Sequence, residues 1–158
     1  MIARILALCI VAFLGAGLLL AAPAFSASTP TQLNVKDYGA VGDGKTDDTA
    51  AILKAVADGK AKNLPVCFPK GEYVITKTIE IEEQSLTGNE PGGWPADSAP
   101  LPILLVRHSA GPAVIAREGA TVHGLSFIYD ESSKEKFPPC IQLSGGGICV
   151  SNVRIQYC

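Results

Sequence analysis

Apolar residues are spaced along this chain in three different ways. Over residues 5–22 they run almost without interruption and without charge. Arg4 stands before the run, and Ala21, Ala22, Ala24, Ser26 and Ala27 follow it. A short basic start, an apolar middle and a small-residue exit describe a secretory signal peptide, here residues 1–27. Cleavage after Ala24 or Ser26 places small residues at the −1 and −3 positions. The run is also just long enough to span a bilayer. The Ala/Pro/Ser exit favours cleavage, which leaves no stable membrane anchor. A second spacing appears at Ile52, Leu53, Val56 and Ala57, an apolar stripe at helical intervals. It predicts one amphipathic helix over residues 46–62, capped by Thr46, with Asp47 and Asp48 in its first turn. There the unpaired amides and the helix dipole favour negative charge. Gly59, Lys60 and Lys62 mark its exit.

The third spacing is short and β-like. It predicts strands at residues 33–35, 66–68, 73–75, 79–81, 103–106, 113–115, 122–129, 141–143 and 148–157. Residues 37–44 and 87–102, rich in Gly, Pro and Asn, read as loops. An offset of 28 residues lays Val122-His123-Gly124-Leu125-Ser126-Phe127-Ile128-Tyr129 on Val150-Ser151-Asn152-Val153-Arg154-Ile155-Gln156-Tyr157. The same offset lays Pro112-Ala113-Val114-Ile115 on Cys140-Ile141-Gln142-Leu143. Gly124 meets Asn152, and both residue types tolerate left-handed backbone, so the shared position is a bend between two strands. Short strands repeating every 20–50 residues imply a solenoid, and strands this short imply a β-helix.

Charge and cysteine content narrow the partners. Formal net charge is −2, with no basic patch, which argues against nucleic acid. Four cysteines follow the leader: Cys67, Cys140, Cys149 and Cys158. Export permits disulfides, and four cysteines allow three pairings; buried free thiols are the alternative. No Cys/His cluster points to zinc, and no metal ligand is assigned.

The run Asp37-Tyr38-Gly39-Ala40-Val41-Gly42-Asp43-Gly44-Lys45-Thr46-Asp47-Asp48-Thr49-Ala50-Ala51-Ile52 closely resembles the opening of the pectate lyase superfamily, and within it the rhamnogalacturonase/epimerase-like domain. Val66-Cys67-Phe68-Pro69-Lys70-Gly71-Glu72-Tyr73 is similar to that family's next segment, and Leu86-Thr87-Gly88 to a following turn. The resemblance implies an all-β solenoid: a right-handed parallel β-helix with an N-terminal capping helix, filling residues 28–158. It also implies action on acidic or neutral polysaccharide, by a lyase, glycoside hydrolase or epimerase. Hydrolysis on this fold needs two carboxylates. Lyase chemistry needs a base and a cation, calcium in many members. Such groups lie on central coils, and residues 137–158 contain no Asp or Glu. The chain is therefore expected to supply the cap and first coils of a longer enzyme and to lack its catalytic groups. A noncatalytic glycan-binding or structural β-helix module is the other expectation.

Substrate-contacting candidates are Trp94, whose indole face can stack on a sugar, Asp130 and Glu131 in a charged insertion, and Arg154, which alternation turns away from the core. Arg107, His108 and His123 are weaker candidates, with surface or bend roles as the simpler reading. Asp43, Asp47 and Asp48 are carboxylates that could meet a calcium ion, although their spacing matches no calcium loop.

Overall fold

A computed structural model describes residues 31–88, 101–129 and 138–157. The chain winds through three parallel sheets in a fixed cyclic order. Sheet A holds β1 (Leu33–Asn34), β3 (Val66–Phe68), β6 (Ser85–Gly88), β9 (Thr121–His123) and β12 (Cys149–Ser151). Sheet B holds β2 (Asp43–Asp47), β4 (Glu72–Ile75), β7 (Ile103–Val106), β10 (Ser126–Tyr129) and β13 (Arg154–Tyr157). Sheet C holds β5 (Ile79–Ile81), β8 (Val114–Arg117) and β11 (Ile141–Ser144). Each turn visits A, B and C before stacking on the turn below, which is a parallel β-helix. Its crossovers take the right-handed sense that parallel connections require. In the first turn α1 (Thr49–Lys62) replaces a sheet C strand.

Alternation within each short strand builds the core. Leu33, Val66, Leu86 and Val122 stack inward from sheet A; Tyr73, Leu104 and Phe127 do so from sheet B, and Ile79 and Val114 from sheet C. All of these are buried. The Phe68 and Tyr73 rings meet edge to face with centroids 5.6 Å apart, where sheet A turns into sheet B. In the outermost described turn the same inward positions are open: Leu143, Val150 and Ile155 are 57%, 40% and 47% exposed.

The 28-residue offset is the true register in sheets A and B, where Val122 pairs with Val150 and Phe127 with Ile155. Gly124 and Asn152 are both left-handed, at φ 67° and 50°, so the shared bend is real. Sheet C differs by one residue, because Val114 pairs with Ile141 and not with Gln142. The cause is the next corner. Three residues join β8 to β9, whereas Gly145, Gly146, Gly147 and Ile148 join β11 to β12.

The helix also starts later than its pattern predicts. Thr46 does not cap it, because Asp43–Asp47 is a strand paired with β4. Asp48 occupies the cap position, yet its carboxylate makes no capping bond. It turns back instead and accepts the amides of Val41 at 2.6 Å and Gly42 at 3.2 Å. Gly59 does not end the helix either; the last turn closes on Asn63 at φ 52°. A Cβ at Gly59 would lie 2.2 Å from Gln84 Nε2, which donates to the Val56 carbonyl. That glycine therefore lets a side chain from the next turn tie α1 to the solenoid.

Candidate functional site

The outer face of sheet B is where the solenoid presents chemistry. Register stacks Asp43, Glu72, Ile103, Ser126 and Arg154 in one column, in which Ser126 is buried. Asp47, Val74, Leu105, Ile128 and Gln156 form a second, in which Val74 is buried. Adjacent rungs lie about 4.8 Å apart, so each column spans about 19 Å. Ile103, Leu105 and Ile128 are half-buried, giving an apolar strip between an acidic first turn and a basic last one. A depression of about 360 Å³ opens at its acidic end beside Gly42, Asp43, Lys70, Glu72, Leu101 and Ile103.

The loop before β2 shapes that depression. Gly42 is left-handed at φ 69° and lies on the Tyr73 ring, where a Cβ would come within 2.8 Å of a ring carbon. Asp48, 2% exposed, holds the loop down through the two amides it accepts. Tyr73 donates to the Pro69 carbonyl at 2.9 Å, and burial pushes its phenol up to about 12. These groups are a scaffold for the loop.

The three early carboxylates do not converge. Asp43 accepts the amides of Thr46 at 2.8 Å and Lys45 at 2.9 Å, and these hold its carboxyl below the usual range, the Thr46 amide most strongly. Asp47 accepts the hydroxyl and amide of Thr49 and the Thr76 hydroxyl, which hold it low as well. Asp48 serves Val41 and Gly42. Among the described residues no group of three His, Cys, Asp or Glu side chains is placed to hold a metal ion. Asp43 and Glu72 are neighbours across the ladder. Asp43 is engaged by its own turn.

Arg154 lies on the exposed outer face, paired with Ser126, where alternation put it. Trp94, Asp130 and Glu131 lie outside the described residues. Arg107 is a strut: its Nη2 donates to the Gly44 carbonyl at 3.2 Å. His108 is half-buried, its Nε2 has no hydrogen-bond partner, and burial lowers its pKa. His123 stands on the outer face of sheet A with Nδ1 2.8 Å from Ser151 Oγ, one rung away. Of the cysteines described, Cys67, Cys140 and Cys149 are free thiols, the first two buried. Sequence reasoning missed Glu72, Ile103, Leu105 and Ile128 as one surface, because only the register brings them together.

Comparison with known proteins agrees with this geometry. The family model described as rhamnogalacturonase A/epimerase, pectate lyase-like, matches residues 32–96. Residues 32–96 thus resemble the pectate lyase-like superfamily. Its relatives include alginate lyase 7 of Azotobacter vinelandii, 48% identical over 56 residues, which cover 35% of this chain and 6% of the enzyme. A probable glucan endo-1,3-beta-glucosidase of Arthroderma benhamiae is 47% identical over 85 residues, 47% of this chain and 9% of that protein. The pre-neck appendage protein of Bacillus phage B103 is 44% identical over 54 residues, 34% of this chain and 6% of its length. The fold matches the ORF18 protein of Geobacillus virus E2 with a TM-score of 0.54 at 21% identity, over 79% of this chain and 25% of that one. The chain thus spans less than a tenth of these three relatives.

Proposed function

We propose that this pectate lyase-like chain supplies the N-terminal cap and first turns of an exported polysaccharide-processing protein, a lyase or glycoside hydrolase, and that a glycan strand lies along the outer face of sheet B. The observation that carries the reading is the pair of columns, whose half-buried Ile103, Leu105 and Ile128 form an apolar strip that ends at Arg154 and Gln156. Apolar steps match the C–H faces of sugar rings. Charged ends fix orientation, as in small-molecule sites with few polar groups. Arg154 favours a carboxylated sugar, because a guanidinium pairs with carboxylate in a two-pronged fashion. The leader-like run over residues 5–22 supports release into the periplasm or outside the cell. No described side chain is assigned the bond-breaking step.

Calorimetric titration with alginate and β-1,3-glucan oligomers tests this. Binding of one class is expected, with alginate weakened about fivefold by Arg154→Ala, equivalent to about 1 kcal/mol for an exposed charge. Binding of neither class, or binding indifferent to both Arg154→Ala and Ile128→Ser, overturns the reading. A noncatalytic module is favoured by the phage appendage relative. Glycan cleavage by the native protein would rule that second reading out.

A further inference from the structure

The depression at the first-turn end of sheet B carries two charged groups that the fold leaves unengaged. Its floor is main chain, because Gly42 and Gly71 lie on the Tyr73 ring, where a Cβ would come within 2.8 Å and 3.3 Å of a ring carbon. Leu101 and Ile103 form its apolar wall, and Asp43, Lys70 and Glu72 its polar rim. At about 360 Å³ it falls at the small end of ligand sites, roughly 300–1,000 Å³, and suits a single sugar unit. The Asp43 carboxylate is fully occupied: Oδ1 accepts the Lys45 and Thr46 amides, and Oδ2 accepts the Thr46 hydroxyl at 3.0 Å. The Glu72 carboxylate leans over Gly44, where a Cβ would lie 2.5 Å from its Oε2. It is exposed and makes no ion pair or side-chain hydrogen bond among the described residues. The same holds for the exposed ammonium of Lys70, two residues away.

We propose that this depression is a sugar subsite selective for an uncharged unit, and that Glu72 sets the selectivity. The inference rests on the glycan-face reading and names what that face takes at its first turn. A carboxylate only accepts hydrogen bonds and an ammonium only donates them, whereas a sugar hydroxyl does both. Neighbouring hydroxyls can therefore donate to Glu72 and accept from Lys70 while the C–H face of the ring lies on Leu101 and Ile103. Bonds to ionised partners are stronger than bonds between neutral groups. A carboxylated unit instead meets two carboxylates, Asp43 and Glu72, against one ammonium, and is repelled. Arg154 stands three rungs along the same column from Glu72, about 14 Å away. That exceeds the screening length at physiological salt, so Arg154 does not offset the repulsion. Arg154 thus favours a carboxylate at one end of the face, and Glu72 refuses one at the other.

Calorimetric titration of the protein and of its Glu72→Gln variant with an alginate hexamer and a β-1,3-glucan hexamer, at low salt, tests this. Glutamine keeps the shape of the side chain and removes its charge. The variant is expected to bind alginate about threefold more tightly and the glucan about threefold more weakly, a modest change because exposed charges act through water. In about 1 M NaCl, where the screening length is about 3 Å, the alginate gain should vanish and the glucan loss remain. Ile103→Ser removes the apolar wall and should weaken whichever oligomer binds. An affinity unmoved by Glu72→Gln, or moved with the opposite sign, overturns the selectivity; if Ile103→Ser still weakens that oligomer, the glycan face itself stands. Binding of neither oligomer to either protein overturns both. Tighter binding of a chitosan hexamer than of the glucan, lost in Glu72→Gln, would assign the depression to a cationic sugar and overturn the proposal as well.

Discussion

Replacing Gly88 with alanine probes how closely successive turns stack. Gly88 closes β6 at the corner between sheets A and B, directly beneath Gly124 of the next turn. A Cβ there would lie 1.8 Å from the Gly124 carbonyl oxygen and 2.7 Å from its carbon. Ordinary carbon–oxygen approach is about 3.3 Å, so the two turns must part by about 1.5 Å. Thr121 donates to the Gln84 carbonyl and Ser126 to the Pro102 carbonyl, each at 2.9 Å, on either side of this contact. Parting by that much takes both bonds beyond useful range. With about 1 kcal/mol lost per bond, and more for groups left buried without partners, Gly88→Ala should cost about 3–5 kcal/mol. That is a large share of a stability of roughly 5–15 kcal/mol. Gly119→Ala is the control. Its φ is +67°, but its Cβ would meet nothing nearer than 3.5 Å, so only the backbone penalty of about 1 kcal/mol applies. Urea unfolding followed by circular dichroism compares them. If Gly88→Ala costs no more than Gly119→Ala, turn stacking is not as tight as argued.

Three further predictions follow from the loops and thiols. Asp48→Ala strands the Val41 and Gly42 amides and should cost about 2–3 kcal/mol in the same assay, with Asp48→Asn recovering part. Asp47 has a folded pKa below its unfolded value, so its stabilisation is full above about pH 4 and is lost as pH falls through the folded pKa. Asp47→Asn should therefore flatten the acid limb of a stability–pH curve. Burial raises the Cys140 thiol to about 12 and raises Cys67 as well, so iodoacetamide at pH 8 should label Cys149 in the native protein and those two only after unfolding, as read by mass spectrometry.

Much of the fold was legible because short strands with one buried face alternate strictly. Val66–Phe68, Ile79–Ile81 and Ile103–Val106 coincide with their patterns, and the Gly124/Asn152 bend marks the repeat. The β2 strand was not legible, since Asp43–Asp47 is polar throughout and becomes a strand only by pairing with β4. The helix start moved because Asp48 serves a loop seven residues back in place of its own helix. The sheet C register slipped by one because corner length, and not strand pattern, sets it. The outward facing of Arg154 was readable from alternation alone. The column it completes was not, because Glu72, Ile103 and Ser126 are far apart in sequence and meet only through the register.

The most direct test of the glycan-face reading is amide hydrogen exchange of the protein with and without an alginate hexamer, repeated with a β-1,3-glucan hexamer. Protection confined to residues 101–107, 126–129 and 154–157 is the expected result. Protection elsewhere, with those segments unchanged under both sugars, would contradict it.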